Sequence, residues 1–368
     1  MVNDSPSLSI IIPCRNEARL IGPCLDSILT NGYPLQNLEI LVIDGMSDDG
    51  TRDIIQGYAA RYDLIHLVDN PHKVTPYALN IGIRRSRGEV IMRLDAHTVC
   101  EKNYIARCVQ VLLKYGADDV GGTLRITARH NTPMGRAIVK ALTQRLGVGN
   151  LRYRFAQPLE PEIVDTVAFF CCRRELFTKI GLFNEKLTRI QDMEFKRRIA
   201  RAGGKIMLAP GAFADYQARS DLKSFWRHNW ADGLWTVLAF GRAEVMPVRW
   251  RHLAPACLVA TLIITGIPAP WWPLFSWLFL VIAGTYGLTA FVLSSRIAVA
   301  EGDLRYVFLV PLILVSMHVM RGLGSMWGVV RLCAERRLAH AIRLVIQEKS
   351  APECASISES LAQAGRRD

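Results

Sequence analysis

Residues 8–17, with the sequence Leu-Ser-Ile-Ile-Ile-Pro-Cys-Arg-Asn-Glu, begin as an apolar run and end in polar side chains. The apolar part, residues 8–13, has the length and composition of a buried β-strand that ends at proline. Three similar runs, each ending in Asp, lie at residues 38–44, 64–69 and 90–95, and stretches with helical spacing separate them. This alternation predicts an α/β fold with a mainly parallel sheet, in which ligands bind at the carboxyl ends of the strands.

The composition adds a membrane to this prediction. The chain has 368 residues, of which 50% are hydrophobic and 21% are charged, and its mean hydropathy is +0.16. These values are too apolar for a disordered chain and high for a soluble enzyme, so we expect a membrane-attached protein. The net charge of +12 favours polyanionic partners. Nucleic acid, anionic lipids and diphosphate-bearing substrates all fit that charge.

The cysteines and the first residues bear on the compartment. Nine cysteines are present without any C-x-x-C motif, and some, such as Cys14 and Cys257, lie in apolar runs. The start, MVNDSPSLSIIIP, has no basic segment followed by an apolar one, so we expect no cleaved export signal. We therefore predict reduced, buried thiols in a cytosol-facing protein rather than disulfides or a zinc site.

A long uncharged run predicts membrane spans. Residues 253–295 comprise 43 positions without Lys, Arg, His, Asp or Glu. A helical span needs about 20 residues. Within the run, residues 267–273, Ile-Pro-Ala-Pro-Trp-Trp-Pro, combine helix breakers with an aromatic pair typical of a membrane interface. We therefore predict two antiparallel spans, at about residues 253–270 and 272–295.

A third apolar segment, residues 306–330, contains Pro311, His318 and Arg321. Basic residues flank the first two spans on their outer sides, so the positive-inside rule predicts that both outer ends are cytosolic. The tail after the third segment is also basic, although a third crossing would put it outside. Two interpretations stay open: a re-entrant or interfacial segment with Arg321 reaching the surface, or a true span with a buried functional arginine. Residues 336–368 are predicted to be a basic and then disordered tail.

Asp44 lies in the sequence Leu-Val-Ile-Asp-Gly-Met-Ser-Asp-Asp-Gly-Thr, residues 41–51. It follows apolar residues at the end of a predicted strand, where an unpaired carboxylate would be costly. Such a carboxylate could accept a hydrogen bond from a nucleotide base or a ribose hydroxyl. Helix capping explains Asp49 and Thr51.

Asp95 and His97 follow the fourth predicted strand at positions i and i+2, which point to the same side of a strand. They could therefore converge on one cation. A carboxylate and an imidazole suit Mn²⁺, and suit Mg²⁺ less well because Mg²⁺ prefers oxygen ligands. The alternative is a strand-end aspartate beside a surface histidine. Neither the dinucleotide fingerprint nor the P-loop motif is present.

Five motifs in this order resemble those of family 2 glycosyltransferases, which have the GT-A fold. The motifs are IIPCRNE (11–17), LVIDGMSDDGT (41–51), Lys73 with YALNIG (77–82), GEVIMRLDAHT (88–98) and RIQDMEF (189–195). The resemblance covers residues 8–235. It implies a GT-A catalytic domain over residues 1–235, followed by an interfacial helix and membrane region over residues 236–335. The DAHT and QDMEF variants look most similar to bacterial glucosyltransferases that extend lipid-linked exopolysaccharide repeats, the succinoglycan type.

The resemblance implies a role for each matching residue. Asp44 would bind the base of a nucleotide-diphosphate sugar, with Lys73 near the base and ribose. Asp95 and His97 would hold a divalent metal, Mn²⁺ or Mg²⁺, on the donor diphosphate, although His97 replaces the usual Asp. Asp192 would be the catalytic base. The residues expected to line the nucleotide are Pro13, Arg15 and Glu17.

One base without a second nucleophile implies direct displacement with inversion. The Q-x-x-R-W motif of processive relatives is absent, and Phe-Trp-Arg-His-Asn-Trp stands in its place at residues 225–230. We therefore expect a single sugar addition, and we interpret this stripe as an interfacial helix. The implied reaction transfers a sugar, glucose from UDP-glucose, to a lipid-diphosphate-linked saccharide for exopolysaccharide or another surface glycan.

The expected location is the cytoplasmic membrane, with several spans in contact with lipid and the catalytic domain in the cytosol. Nucleic acid is not an expected partner, because the positive-inside bias explains many of the arginines. One alternative is a glycosyltransferase with a polyprenyl-monophosphate acceptor. Another is a noncatalytic membrane-anchored protein that binds sugar nucleotides, which the presence of Asp44, Asp95 and Asp192 disfavours. A sugar-nucleotide pyrophosphorylase would need a Gly-rich start that this chain lacks.

Overall fold

The computed structural model describes residues 5–364 except residues 150 and 219, and it describes side chains up to residue 335, apart from those of residues 148 and 250. The strands are β1 (Leu8–Cys14), β2 (Leu38–Asp44), β3 (Ile65–Asp69), β4 (Val90–Arg93), β5 (Thr98–Cys100), β6 (Asp119–Ala128), β7 (Glu162–Ile163), β8 (Phe170–Arg173) and β9 (Ile206–Ala218). The helices are α1 (Ile21–Leu29), α2 (Thr51–Ala59), α3 (Thr75–Arg85), α4 (Tyr104–Lys114), α5 (Pro133–Leu142), α6 (Arg145–Val148), α7 (Glu175–Ile180), α8 (Gln191–Arg201), α9 (Leu222–Arg242), α10 (Ala254–Gly266), α11 (Pro273–Glu301) and α12 (Tyr306–Ala364). Short 3₁₀ turns lie at Leu35–Asn37, Arg152–Arg154 and Trp250–Leu253.

The first sheet contains the four apolar runs predicted as strands. Its order is β3-β2-β1-β4-β8, and β1 to β4 are parallel while β8 is antiparallel to β4. The interior strands β1 and β2 are almost wholly buried, as expected for apolar runs with helices on both faces. The predicted α/β fold with a mainly parallel sheet is therefore confirmed. The chain leaves β1 toward β2 on one side and later adds β4 on the other, so a ligand crevice is expected where β1 and β4 end.

The fourth strand ends earlier than predicted. β4 stops at Arg93, and the amide of Thr98 donates to the carbonyl of Asp95 at 3.0 Å, so residues 95–98 form a tight turn. Asp95 and His97 therefore lie on a turn, and the alternation of a strand does not orient them. The turn arises because β5 begins at Thr98 and belongs to the other sheet.

A second, smaller sheet has the order β5-β9-β6, with β7 also paired to β9. Its long strand β9 pairs in parallel with β6 and shifts register between Gly121 and Thr123. Asp119, at the start of β6, is fully buried and accepts from the Lys196 ammonium of α8 at 2.9 Å. Burial raises the pKa of Asp119, and the charge of Lys196 opposes that rise. This ion pair joins α8 to the second sheet.

The apolar C-terminal region contains two helices that are long and apolar enough to cross a membrane, α11 and the part of α12 from Tyr306 to Glu335. The first predicted span, residues 253–270, is instead the shorter helix α10 of 13 residues. A crossing needs about 20 residues. Prolines at 268, 270 and 273 explain why α10 stops, since each lacks an amide donor for a continuing helix.

Helix α12 packs closely against α9 through glycines. A Cβ on Gly324 would lie 2.2 Å from the carbonyl oxygen of Trp230, and one on Gly328 would lie 2.9 Å from that of Leu234. The spacing of these two glycines is that of the small-xxx-small pattern of packed membrane helices. The predicted domain boundary after residue 235 falls inside α9, which belongs by its packing to the apolar region.

The predicted disordered tail differs from the structure. Helix α12 continues through residues 336–364, and residues 365–368 lie outside the described residues. Ala, Glu, Gln and Leu are frequent in this stretch, and such residues have high helix propensity even without an apolar face.

Candidate active site

The loops after β1 and β2 form one edge of the site and are tied together by side chains. Asn16 exchanges two hydrogen bonds with Asp48, from its amide nitrogen at 2.9 Å and to its amide oxygen at 3.2 Å. The backbone amide of Asn16 also donates to Ser47 Oγ at 2.8 Å. Asn16 has a positive φ of 56°, which Asn tolerates better than most residues. These contacts hold the loop of Pro13, Arg15 and Glu17 in place.

Asp44 is fully buried at the end of β2, and both of its carboxylate oxygens accept hydrogen bonds. Arg52 of α2 donates to Oδ2 at 2.7 Å, and Ser47 donates to both oxygens through its amide and its hydroxyl. A second nitrogen of Arg52 reaches Asp69 at the end of β3 at 2.8 Å. The expectation that a buried Asp44 has partners is met within the protein itself. Arg52 was not singled out from the sequence, because its partners are 8 and 17 residues away.

The turn after β4 contains Asp95 and His97. Arg93 donates to Oδ1 of Asp95 through Nε at 2.9 Å and Nη2 at 2.8 Å. His97 Nδ1 lies 3.2 Å from a carboxylate oxygen of Glu17, and its ring meets that of Tyr216 edge-on at 4.9 Å. The structure thus brings Glu17 into contact with His97, 80 residues further along the chain, beside the turn that contains Asp95.

These side chains fit part of a metal site. Both contacts of Asp95 with Arg93 use Oδ1, so Oδ2 is the oxygen available for a cation. A carboxylate on Nδ1 of a histidine favours the proton there and leaves Nε2 as the ligand atom, as Glu17 does for His97. Among the residues that the structure describes, no three His, Cys, Asp or Glu side chains form a complete cage. Diphosphate oxygens and water would therefore have to complete the coordination.

Asp192 lies at the start of α8, where it is exposed to solvent and its Oδ1 accepts from the amide of Met193 at 2.9 Å. A helix N-terminus favours a charged carboxylate. Burial alone would lower the pKa of Arg93, but the carboxylates of Asp95 and Asp192 outweigh it and raise that pKa. The charge of Asp192 therefore acts on the same guanidinium group that pairs with Asp95. The preceding Ile190 has a φ of 58°, a rare left-handed conformation for a β-branched residue.

A second group of charges holds the loop before α8. Arg189 donates to Asp232 of α9 at 2.6 Å, and the other oxygen of Asp232 lies 3.3 Å from His228 Nε2. Arg321 of α12 lies 3.9 Å from the same oxygen. The sequence showed Arg189 only as part of a motif and did not point to Asp232, because the two residues are 43 positions apart and no short pattern contains both.

The remaining predicted nucleotide residues lie along the same edge of the sheet. The stem of Arg15 packs over Gly45, where an added Cβ would lie 3.2 Å from it. Lys73 is exposed in the loop between β3 and α3, with a positive φ of 61°. Beside it, the rings of His72 and Tyr77 stack at 3.9 Å. This aromatic pair was not identified as such from the sequence.

The parallel-rich sheet with a second, smaller sheet beside it has the architecture of the GT-A fold. Residues 9–181 match the model of Glycosyl transferase family 2, which confirms the resemblance: this part of the chain is a family 2 glycosyltransferase domain.

Similar proteins agree with this assignment. A dolichyl N-acetyl-alpha-D-glucosaminyl phosphate 3-beta-D-2,3-diacetamido-2,3-dideoxy-beta-D-glucuronosyltransferase of Methanococcus voltae is 23% identical over 88% of this chain and 97% of its own. The succinoglycan biosynthesis protein ExoA of Rhizobium meliloti is 27% identical over 68% of this chain and 82% of its own. The mannosyltransferase PcManGT of Pyrobaculum calidifontis, solved with GDP-Man and Mn²⁺, has the same fold, with a TM-score of 0.55, 17% identity and 88% coverage of both chains.

Proposed function

We propose that this glycosyltransferase moves glucose from UDP-glucose, with inversion, onto a lipid-diphosphate-linked saccharide at the cytosolic face of the cytoplasmic membrane. The observation that carries the proposal is the ion pair of Arg93 with Asp95, together with the exposed carboxylate of Asp192, whose charge acts on the same guanidinium group. Asp95 lies on the turn after β4, and Asp192 is exposed and forms no ion pair within the described part of the chain. The product would serve an exopolysaccharide or another surface glycan.

The chemistry requires one base. Asp192 takes the proton from an acceptor hydroxyl as its oxygen attacks the anomeric carbon. The bond from that carbon to the diphosphate breaks on the opposite side, so the configuration inverts and the nucleoside diphosphate leaves. Asp95 and His97 would hold a divalent cation, which supplies neutralisation of the leaving charge. General-base catalysis typically contributes about 10²- to 10⁴-fold in rate.

Donor binding rests on the neighbouring loops. Asp44 is fully buried beneath Arg52 and Ser47, so its direct contact with a base requires neighbouring side chains to move. We infer that Asp44 orders the loop that faces the nucleotide, with Pro13, Arg15 and Glu17 on one side. Lys73 is exposed beside the stacked His72 and Tyr77 and would contact the base and ribose.

The apolar helices support a lipid-linked acceptor. Helices α11 and α12 would keep the site next to a membrane-bound acceptor and raise its effective concentration. The relative from Methanococcus voltae, whose whole length the alignment nearly covers, is named for a dolichyl phosphate sugar. We also propose that both long helices cross the bilayer, so that the protein is a multi-pass membrane protein in contact with membrane lipids.

The test uses membranes that contain the wild type or Asp192→Asn, with Mn²⁺, a lipid extract of the native host and a panel of labelled nucleotide sugars. We expect label from UDP-glucose in the organic-soluble fraction, and a loss of about 100-fold or more in the variant, as general-base removal predicts. The β-anomeric product from an α-linked donor would show inversion. Donor binding without transfer from any sugar nucleotide would contradict the proposal and favour a noncatalytic binder.

A second candidate keeps the donor and uses a polyprenyl monophosphate as the acceptor. The name of the Methanococcus voltae relative, which specifies a dolichyl phosphate, favours it. Mass spectrometry of the labelled lipid separates the two, because one product contains a diphosphate and the other a monophosphate diester. Stability to mild acid gives an independent distinction.

A further inference from the structure

A groove of about 710 Å³ lies beside α11, next to the short helix α6. Its walls are mostly apolar. The residues that matter for the inference are Arg145, Phe155, Leu288, Val292, Leu293 and Arg296. A volume of this size is typical of ligand-binding clefts, which measure about 300–1,000 Å³.

Two arginines stand at the groove without a carboxylate partner. Within the part of the chain that the structure describes, neither Arg145 nor Arg296 forms an ion pair, and both are exposed. The guanidinium of Arg145 lies over the ring of Phe155, 5.5 Å from its centroid. Two unneutralised guanidinium groups beside an apolar surface are suited to an anion that is attached to an apolar chain.

The groove changes character along α11. Leu288, Val292 and Arg296 are spaced by four residues and share one face of the helix. Leu288 is 63% exposed and Val292 is 43% exposed, although both are apolar. Arg296 lies about 12 Å from Leu288 along the helix axis, at 1.5 Å per residue. It lies near the end at which Glu301 contacts Lys140 of α5, so the cationic end of the groove adjoins the catalytic domain.

A second cavity adjoins the groove. It has a volume of about 260 Å³ and shares Thr143 and Phe155 with the groove. It is lined by Ile126 of β6, which pairs with Tyr216 of β9. The ring of Tyr216 contacts that of His97. Its cationic lining residues are Arg125, Lys140 and Arg154.

We propose that the groove binds the lipid part of the acceptor: an isoprenoid chain lies against Leu288 and Val292, and the diphosphate lies on Arg145 and Arg296. The second cavity then takes the attached saccharide toward Asp192. The adjoining second cavity distinguishes this occupant from a bulk phospholipid, because a phospholipid has no saccharide to place in that cavity. The inference rests on the proposed function for its occupant, but binding can be measured without any donor.

The test uses the full-length protein in detergent and a photoactivatable polyprenyl diphosphate, with no sugar nucleotide present. We expect crosslinks within residues 143–155 and 288–296, and we expect unlabelled polyprenyl diphosphate to compete for them. Leu288→Trp fills the groove and should lower the crosslinking yield at least tenfold. Leu280→Trp is the matched control, because Leu280 is equally exposed, at 60%, two turns away on the same helix and outside the groove. Arg145→Glu with Arg296→Glu should lower the yield as Leu288→Trp does.

The outcomes separate the two proposals. Equal competition by phosphatidylglycerol, or equal yields from the Leu288→Trp and Leu280→Trp variants, would identify ordinary surrounding lipid and overturn the inference. Crosslinks mapped to other helices would overturn it as well. Crosslinking as expected in a protein that transfers no sugar would uphold the groove and reject the proposed function. Transfer that is unaffected by Leu288→Trp would uphold the function and reject the groove.

Discussion

Arg189 donates to Asp232 across 2.6 Å and thereby ties the loop before α8 to helix α9. The other carboxylate oxygen of Asp232 lies 3.3 Å from His228 Nε2 and 3.9 Å from Nη2 of Arg321 in α12. Asp192, the proposed base, follows Arg189 by three residues in the chain. The Asp232 carboxylate therefore connects the loop before α8 with the two helices α9 and α12.

Loss of this connection should slow transfer without weakening donor binding. Asp232→Asn keeps the size of the side chain but removes the charge, so we expect transfer to fall by roughly 10- to 100-fold through misplacement of Asp192. Donor Kd, measured by calorimetry, should stay within twofold. Asp303→Asn is the control, because Asp303 forms an ion pair of 2.8 Å with Arg305 outside the site. Equal losses in both variants would reject a positioning role.

Arg52 should govern donor binding through Asp44. Arg52→Met leaves the fully buried Asp44 carboxylate without its 2.7 Å partner, which should cost about 1–3 kcal/mol in the free energy of unfolding. Adding Asp44→Asn should recover part of the stability but none of the donor affinity. Arg61→Met, just beyond the same helix, is the control. Chemical denaturation and donor titration measure the two effects, and a stable variant with normal donor affinity would contradict the role of the pair.

His97 should determine the metal preference. Imidazole suits Mn²⁺ better than Mg²⁺, so the wild type should work with Mn²⁺ at least as well as with Mg²⁺. His97→Asp should shift the activity ratio toward Mg²⁺, since it replaces nitrogen with oxygen. Steady-state rates after chelation and re-addition of each metal give the ratio. A strict Mg²⁺ preference in the wild type would exclude His97 as a direct ligand.

The contact between α9 and α12 should tolerate no side chain at position 324. A Cβ there would lie 2.2 Å from the carbonyl oxygen of Trp230, so Gly324→Leu should force the helices apart. Overpacking typically costs about 1–3 kcal/mol, and the clash here is with backbone. Gly284→Leu on α11 is the matched control, because a Cβ at Gly284 meets nothing within 4 Å. Thermal unfolding in detergent should show a lower midpoint for the first variant alone.

Cysteine labelling should follow burial. Burial raises the pKa of Cys24 and Cys108 to about 12, so at pH 8 only about 10⁻⁴ of each thiol is the reactive thiolate. The thiolate fraction of these two cysteines becomes large only when the pH approaches their raised pKa. Labelling should therefore stay slow even at pH 10. Cys333 is exposed and should react in the folded protein. Peptide mapping after maleimide treatment, with an unfolded sample as control, checks this order. Rapid labelling of Cys24 would contradict the packed core.

Short patterns in the chain predicted the features that depend on neighbouring residues. Apolar runs of five to seven residues mark the strands, and β2 has the predicted bounds. The motifs with Asp44, Asp95 and Asp192 were found because each combines a strand end or helix start with a polar residue. Two predicted boundaries were wrong. The fourth strand stops at Arg93 and not at residue 95, because the chain turns there to enter β5 of the other sheet. The first predicted span is shorter than expected, because prolines follow helix α10.

The sequence by itself determined the strands of the sheet and the residues at their ends, because an apolar run of a few positions marks a buried strand, and it determined the family through five motifs in order. Only the tertiary structure showed that Arg52 pairs with Asp44, that Glu17 faces His97 and that Arg189 holds Asp232. Those contacts join residues on different elements, and their geometry follows from sheet order and helix packing. The partner of a charged side chain is the group that the fold places next to it, and a short stretch of sequence does not contain that information.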